Sequence, residues 1–245
     1  MRIAIAVLLA AAWAIPPAAA GDTAERRIIG FAEEGRLFAF EEFGVQDGSG
    51  FPYSNIYVVD TDTDSWVAGT PIRVRLEEDG AGLEDARRQA ETRLEEVVGE
   101  ELGDARFVTL AHSPLGEFEQ SPTELLFAPL IPSNPLADPD RTYAARLDLF
   151  HAETQAADCI TYIGDRPMGF RLTVDGLEKG GGSVVLHEDA GPVPASRGCP
   201  ITYRLSEIVV PDFPPDRLAV LISVFTPGFE GPDRRFIAVT GRLPE

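Results

Sequence analysis

A mainly β fold, built of antiparallel sheets arranged as a sandwich or as propeller-like blades and carrying one amphipathic α-helix, follows from three observations. Short segments rich in β-branched and aromatic residues recur along the chain, bounded by Gly, Pro, Asp or Ser. Some of them alternate apolar and charged positions with period two, as half-buried strands do. One stretch instead repeats its apolar residues at helical spacing.

In chain order, strands are expected over 27–31, 37–43, 56–60, 66–76, 107–111, 125–130, 143–151, 170–174, 184–187, 201–210, 218–225 and 236–240. The alternation is plainest between Tyr143 and Phe150, where Arg146 and Asp148 point one way and Leu147 and Leu149 the other. Arg73 and Arg75 repeat that logic. The helix is expected over 83–102: Leu83, Ala86, Ala90, Leu94, Val97 and Val98 form one stripe among Glu and Arg residues. Gly80 and Gly82 precede it, and Gly99 and Gly103 bracket its end. Its charged stripe reads as a solvated face and the helix as a cap on a sheet. Two stretches share a long-hairpin pattern, one running from Arg36 through a Gly-rich excursion to Val59, the other from Arg217 through Pro227–Gly231 to Val239. Two copies define neither a solenoid nor a full propeller.

The chain opens with Met1-Arg2, an apolar run of 13 residues from Ile3 to Ile15, and Ala18-Ala19-Ala20 before polar Gly21-Asp22-Thr23. A basic start, a short apolar centre and a small-residue end make residues 1–20 an expected secretory signal cleaved after Ala20. The run is too short to span a bilayer, which needs about 18 apolar residues, so no stable membrane insertion is expected after cleavage. What remains is expected to be a single mainly β domain over 21–245, located in the periplasm or outside the cell.

Forty acidic residues against 21 basic ones give a net charge of −19. Such a surface repels phosphate backbones and anionic membranes, which argues against nucleic acid as a partner. The two cysteines, Cys159 and Cys199, are an even count in an exported chain, so a disulfide is expected. Closing that 40-residue loop should stabilise the fold by up to roughly 4 kcal/mol. Two free buried thiols or a metal site are the alternatives, and neither is favoured by two lone cysteines at this spacing.

Ile29 to Phe40 resembles the strand-turn-strand opening of one blade in TolB-type periplasmic propellers. More of the chain is similar to an uncharacterised bacterial family of predicted secreted proteins, a domain of unknown function. The residues that carry this are Phe40 to Ser54, the Ser196-Arg197-Gly198-Cys199-Pro200 block, and Thr226 to Phe236. The resemblance implies secretion and a role for Cys199; it supplies no catalytic residue.

Asp60, Asp62 and Asp64 alternate in Asp60-Thr61-Asp62-Thr63-Asp64 and could offer oxygen ligands to a hard cation such as calcium. Ser65 and Pro71 stand where a calcium loop needs Gly and Glu, so an Asp-rich turn is the competing reading. His112, His151 and His187 show no zinc-binding spacing. Ser49 lies between glycines, but Asp47 and Phe51 replace the outer glycines of a nucleophile elbow. The excursion from Gly44 to Ser54 carries Gln46, Asp47, Phe51 and Tyr53, a mix of aromatic and polar groups suited to a ligand or partner. The expected function is therefore non-catalytic binding of an envelope component or a small ligand, with a metal- or carboxylate-dependent hydrolase as the alternative. Neither a catalytic residue nor a cofactor beyond that possible calcium is assigned.

Overall fold

The computed structural model describes residues 21–78, 80–102, 104–116, 121–129, 141–212 and 216–244. The expected signal over 1–20 lies outside the described residues, as do Gly103 and Leu130. Among the described residues, thirteen strands form three sheets in which every strand pairing is antiparallel. Sheet 1 contains β1 (Glu25–Ala32), β2 (Leu37–Val45), β3 (Pro52–Asp60) and β4 (Ser65–Trp66) in that order, with β5 (Ile72–Arg75) also pairing β3. Sheet 2 has β7 (Glu124–Phe127), β8 (Tyr143–His151), β9 (Met168–Gly176) and β10 (Ser183–Glu188) side by side. Sheet 3 joins β6 (Val108–His112) to β11 (Thr202–Val210), followed by β12 (Arg217–Thr226) and β13 (Asp233–Arg242) at its edge.

The sheets stack with sheet 3 in the middle, and the side-chain pattern of β12 explains why. Its Leu218, Val220 and Ile222 face Phe170, Leu172 and Tyr143 of sheet 2. Its Ala219 and Leu221 face Phe31, Phe38 and Phe40 of sheet 1. A strand buried on both faces reads as a continuous apolar run rather than an alternating one, and every residue from Leu218 to Val224 is buried. The stack ends on a solvated face of sheet 2, where Arg146 pairs with Glu124 and Asp175, and Arg171 with Glu188.

At the other end α1 (Leu83–Val98) covers sheet 1, followed by a 3₁₀ turn over Gly99–Leu102. Its apolar stripe, Ala86, Ala90, Leu94 and Val98, packs on Leu37, Ala39, Ile56, Val58, Ile72 and Val74. Burying Leu94 alone stabilises by about 2 kcal/mol. The Asp85 carboxylate accepts the Gly82 N–H at 3.0 Å, satisfying one donor at the helix start. Ion pairs fix the helix to the sheet as well: Glu41, on the helix-facing side of β2, accepts from Arg27 at 2.7 Å and Arg87 at 3.0 Å.

Both long hairpins form, as β2–β3 and β12–β13. The first is tighter than its sequence suggests, because pairing continues to Val45↔Pro52 and leaves only residues 46–51 as the turn. Gly48 and Gly50 there take φ of +78° and +70°, open to glycine at no steric cost. The single strand expected over 66–76 is two, because Pro71 lacks an N–H and Thr70 turns the chain back through bonds to the Val67 carbonyl. A five-residue helix α2 (Cys159–Ile163), too short to show a period, was not anticipated. Its first residue is joined to Cys199 by a disulfide with the Cα atoms 5.3 Å apart.

Candidate ligand-binding cleft

Where the middle sheet stops at β13, the two outer sheets overhang it and enclose a cleft of about 600 Å³. The register of sheet 1 delivers its lining. Glu42 stands opposite Asn55, Asn55 opposite Arg73, and Val59 opposite Trp66, so odd positions of β3 and their partners all face inward. Tyr57 stacks on Phe40 at 4.8 Å and leans on Trp66 at 6.0 Å. Trp66 stays 48% exposed, with the Arg73 guanidinium 5.9 Å from its ring. Among the described residues Arg73 makes no ion pair.

Glu42, 2% exposed, anchors this wall to the floor. One of its oxygens accepts from the Tyr57 hydroxyl at 2.9 Å and from Asn55 Nδ2 at 3.0 Å, and the other from the Phe236 N–H at 3.0 Å. Burial and the nearby Glu42 charge push the Tyr57 phenol well above its ordinary range. Arg235 donates to Asp22 at 2.6 Å, and Asp22 also accepts from the Tyr53 hydroxyl at 3.2 Å. Burial is the largest influence on Arg235 and opposes its charge, but the bond to Asp22 and the electrostatic effects of Tyr53, Asp22 and Glu42 together raise the pKa.

The facing wall comes from sheet 2 and from the loop at 194–198. The Asp189 side chain, little exposed, accepts from His187 Nε2 at 3.0 Å, from Arg197 at 2.7 and 2.9 Å, and from the Phe170 N–H at 3.0 Å. Burial alone would raise its pKa, yet these donors lower it. The Arg197 guanidinium also lies 5.2 Å from the Phe170 ring and 3.4 Å from the Tyr203 hydroxyl, whose pKa burial pushes up to about 12. Arg197 sits two residues before Cys199, so the disulfide pins the loop that carries it.

A second pocket of about 410 Å³ shares Asn55, Arg73 and Arg235 with the first and extends the cleft along sheet 1. Gln46 and Tyr53 line it, Phe51 lies 6.0 Å from the Arg75 guanidinium at its edge, and Asp47 faces solvent. The excursion picked out in the sequence thus borders the cleft. Ser49 caps its own turn, accepting from the Phe51 N–H at 3.3 Å.

The aspartates of the 60–64 turn diverge. Asp60 accepts from Arg36 at 3.0 Å and from the Asp62 N–H, Asp62 pairs with Arg217 at 2.7 Å, and Asp64 accepts from the Thr240 N–H and hydroxyl at 2.7 and 2.8 Å. Among the described residues, no group of three or more His, Cys, Asp or Glu is placed to hold a metal ion. Of the histidines His187 lines the cleft, while His151 meets the Arg166 carbonyl at 3.0 Å elsewhere. Trp66, Arg73, Arg197 and Arg235 were not named as site residues from the sequence. The alternation of Tyr53, Asn55 and Tyr57 and of Arg73 and Arg75 is the one local signal that could have marked this face.

None of the described helices is long and apolar enough to cross a membrane. A comparison with curated proteins finds no match. The model of one family, described as predicted secreted protein (DUF2259), matches residues 39–242. That span takes in the second long hairpin, all of the first but the opening residues of β2, the disulfide and every wall of the cleft, and the chain belongs to this family of predicted secreted proteins of unknown function.

Proposed function

We propose that the chain is a periplasmic binding module whose ligand enters the cleft between the outer sheets and carries an acidic group. The observation that supports this most directly is Arg73, a cation without an ion pair among the described residues, set beside a half-exposed tryptophan in a chain with 40 acidic side chains. An unpaired arginine in so acidic a protein is a standing site for a carboxylate, and the neighbouring indole offers an apolar face. Mixed aromatic and polar walls with a volume in the hundreds of Å³ are the usual form of such sites. The test is calorimetric titration with matched acid and amide pairs, from dicarboxylates to short peptides. The acid member should bind 10- to 100-fold more tightly, the range a charge-assisted hydrogen bond supplies. Arg73→Met should erase that difference and Trp66→Ala should weaken both members. Equal binding of each pair to wild type and Arg73→Met protein would end this reading.

A hydrolase is the second reading, favoured by His187, whose Nε2 is held by the Asp189 carboxylate, a side chain 4% exposed, much as a general base is oriented. Turnover of ester, glycoside or peptide substrates that His187→Gln abolishes would support it; a chelator arm tells metal-dependent turnover apart.

A further inference from the structure

The floor of the cleft is the edge of β13, and most of that edge is taken. Alternate residues along it turn their N–H and C=O groups away from β12, as an antiparallel ladder requires. The Phe236 and Thr240 N–H groups donate to the Glu42 and Asp64 carboxylates at 3.0 and 2.7 Å. Between those carboxylates lies Ala238, turned outward by the unbroken register with β12, and neither its N–H nor its C=O has a partner among the described residues. A gap one residue wide between two carboxylates admits a small ligand and closes the edge to a further strand.

Other groups around the gap keep bonding capacity. The Thr240 N–H and hydroxyl both donate to one oxygen of Asp64, which leaves its second oxygen without a partner among the described residues. Asn55 gives its amide N–H to Glu42 and keeps its carbonyl oxygen open. Arg73 makes no ion pair, and Trp66 beside it is 48% exposed.

We infer that the ligand of the proposed cleft is a sugar acid: a pyranose ring that lies on Trp66, sets its single carboxylate on Arg73 and gives hydroxyl protons to Asp64 and Asn55. This rests on the binding reading above and names its ligand class. Three observations select it. The unfilled groups are of both kinds, donors at Arg73 and the Ala238 N–H and acceptors at Asp64, Asn55 and the Ala238 C=O, and a hydroxyl gives and accepts at one atom. One acceptor is a carboxylate, which repels a second anion but takes an O–H in a charge-assisted bond, so the ligand carries its charge on one group, opposite the unpaired arginine. The indole face, negative through its quadrupole, suits the weakly positive C–H edge of a sugar ring.

The experiment uses the exported, disulfide-bonded protein. Residues 21–245 contain one tryptophan, Trp66, so fluorescence reports on the cleft while calorimetry gives affinities. Methyl glucuronide is compared with methyl glucoside, which lacks the acid, with cyclohexanecarboxylate, which lacks the hydroxyls, and with aminocyclohexanecarboxylate, a zwitterion on the same ring. The glucuronide should bind at least tenfold more tightly than the other three and should shift the Trp66 emission. Asp64→Asn keeps an oxygen for Thr240 and tolerates the positive φ of 47°, while it turns the open oxygen into a donor. It should weaken glucuronide binding about tenfold and leave cyclohexanecarboxylate unchanged or tighter, a split that loss of structure would not give. A glucuronate disaccharide, able to reach Gln46 in the second pocket, marks a polysaccharide as the source if it binds more tightly than the glycoside, and a single sugar if it does not. The probe series needs no variant and stands even if Asp64→Asn fails to fold. Equal binding of the glucuronide and either cyclohexane acid, or tighter glucuronide binding by Asp64→Asn, overturns the sugar and leaves an acidic-ligand cleft. Equal binding of glucuronide and glucoside overturns the acid in both readings. If no ring probe binds but a dicarboxylate does, the sugar inference falls alone; if neither binds, the cleft reading falls with it.

Discussion

Glu41 has no exposed side-chain surface, and its carboxylate holds Arg27, Arg87 and the Ser54 hydroxyl, the last at 2.9 Å. Burial pushes its pKa up, but the bonds from Arg87, Arg27 and Ser54 together bring it below the ordinary glutamate range. A carboxylate lowered in this way stabilises the fold at pH values above its unfolded pKa of about 4.3, and that contribution disappears as pH falls through the lower folded value. Glu41→Gln should therefore cost about 2–3 kcal/mol in urea unfolding at pH 7, less than for a fully buried pair because both arginines reach solvent. The variant should also lose less stability than wild type on titration from pH 6 to pH 3. Superimposable acid titrations of the two proteins would show that Glu41 carries no such linkage. Asp189 follows the same sign, so Asp189→Asn should weaken both the fold and the seat of Arg197, read as a lower urea midpoint at pH 7. Little of this was legible residue by residue. Asp64 and Thr240 are 176 positions apart, and nothing local to an Asp-rich turn says that one carboxylate caps a distant strand while its neighbours pair with Arg36 and Arg217. Gln46 and Tyr53 could be picked out because a Gly-rich hairpin carrying aromatic and polar groups is a local pattern.

Elements with one solvated face were read most closely. Strand β8 runs over Tyr143–His151 as expected, because Arg146 and Asp148 keep an outward phase that only a half-buried strand imposes. The helix started at Leu83 for the same reason, its stripe being apolar on one side only. The first half of β3 was missed: Pro52, Ser54 and Asn55 are turn-forming residues, and tertiary pairing with β5 overrides that preference. Two predictions belong to this scale. Leu94→Ala should cost about 2–4 kcal/mol by opening a cavity between α1 and sheet 1, and Ala90→Leu about 1–3 kcal/mol by forcing them apart. Thermal unfolding of either variant within 1 °C of wild type would contradict that packing. Reducing the Cys159–Cys199 bridge should destabilise by up to about 4 kcal/mol. Because the bridge holds the loop of Arg197, a reduced protein kept folded at low temperature should also bind an acidic ligand more weakly. Unchanged affinity after reduction would separate the bridge from the cleft.

The charge of the whole molecule and the charge of the arginines in its cleft have opposite signs, although Glu42 and Asp64 line the same cleft. The chain carries −19, yet Arg73, Arg197 and Arg235 all line one cleft. Which one an approaching anion senses depends on distance and on salt. A chain of this size has a radius of gyration of roughly 17 Å. At 0.01 M salt the screening length is about 30 Å, well beyond that radius, so an acidic ligand meets the summed negative field and is repelled. At 0.15 M it is about 8 Å, and only the arginines at the mouth remain within range. The association rate of an acidic ligand should therefore rise severalfold between these two conditions in stopped-flow measurements. The dissociation rate, set by contacts inside the cleft, should move less or in the opposite sense. Ordinary electrostatic steering gives the reverse, a rate that falls as salt is added. A falling rate here would mean that the arginines dominate the field far from the surface, and that the acidic side chains are held away from the cleft rather than spread as a uniform negative shell.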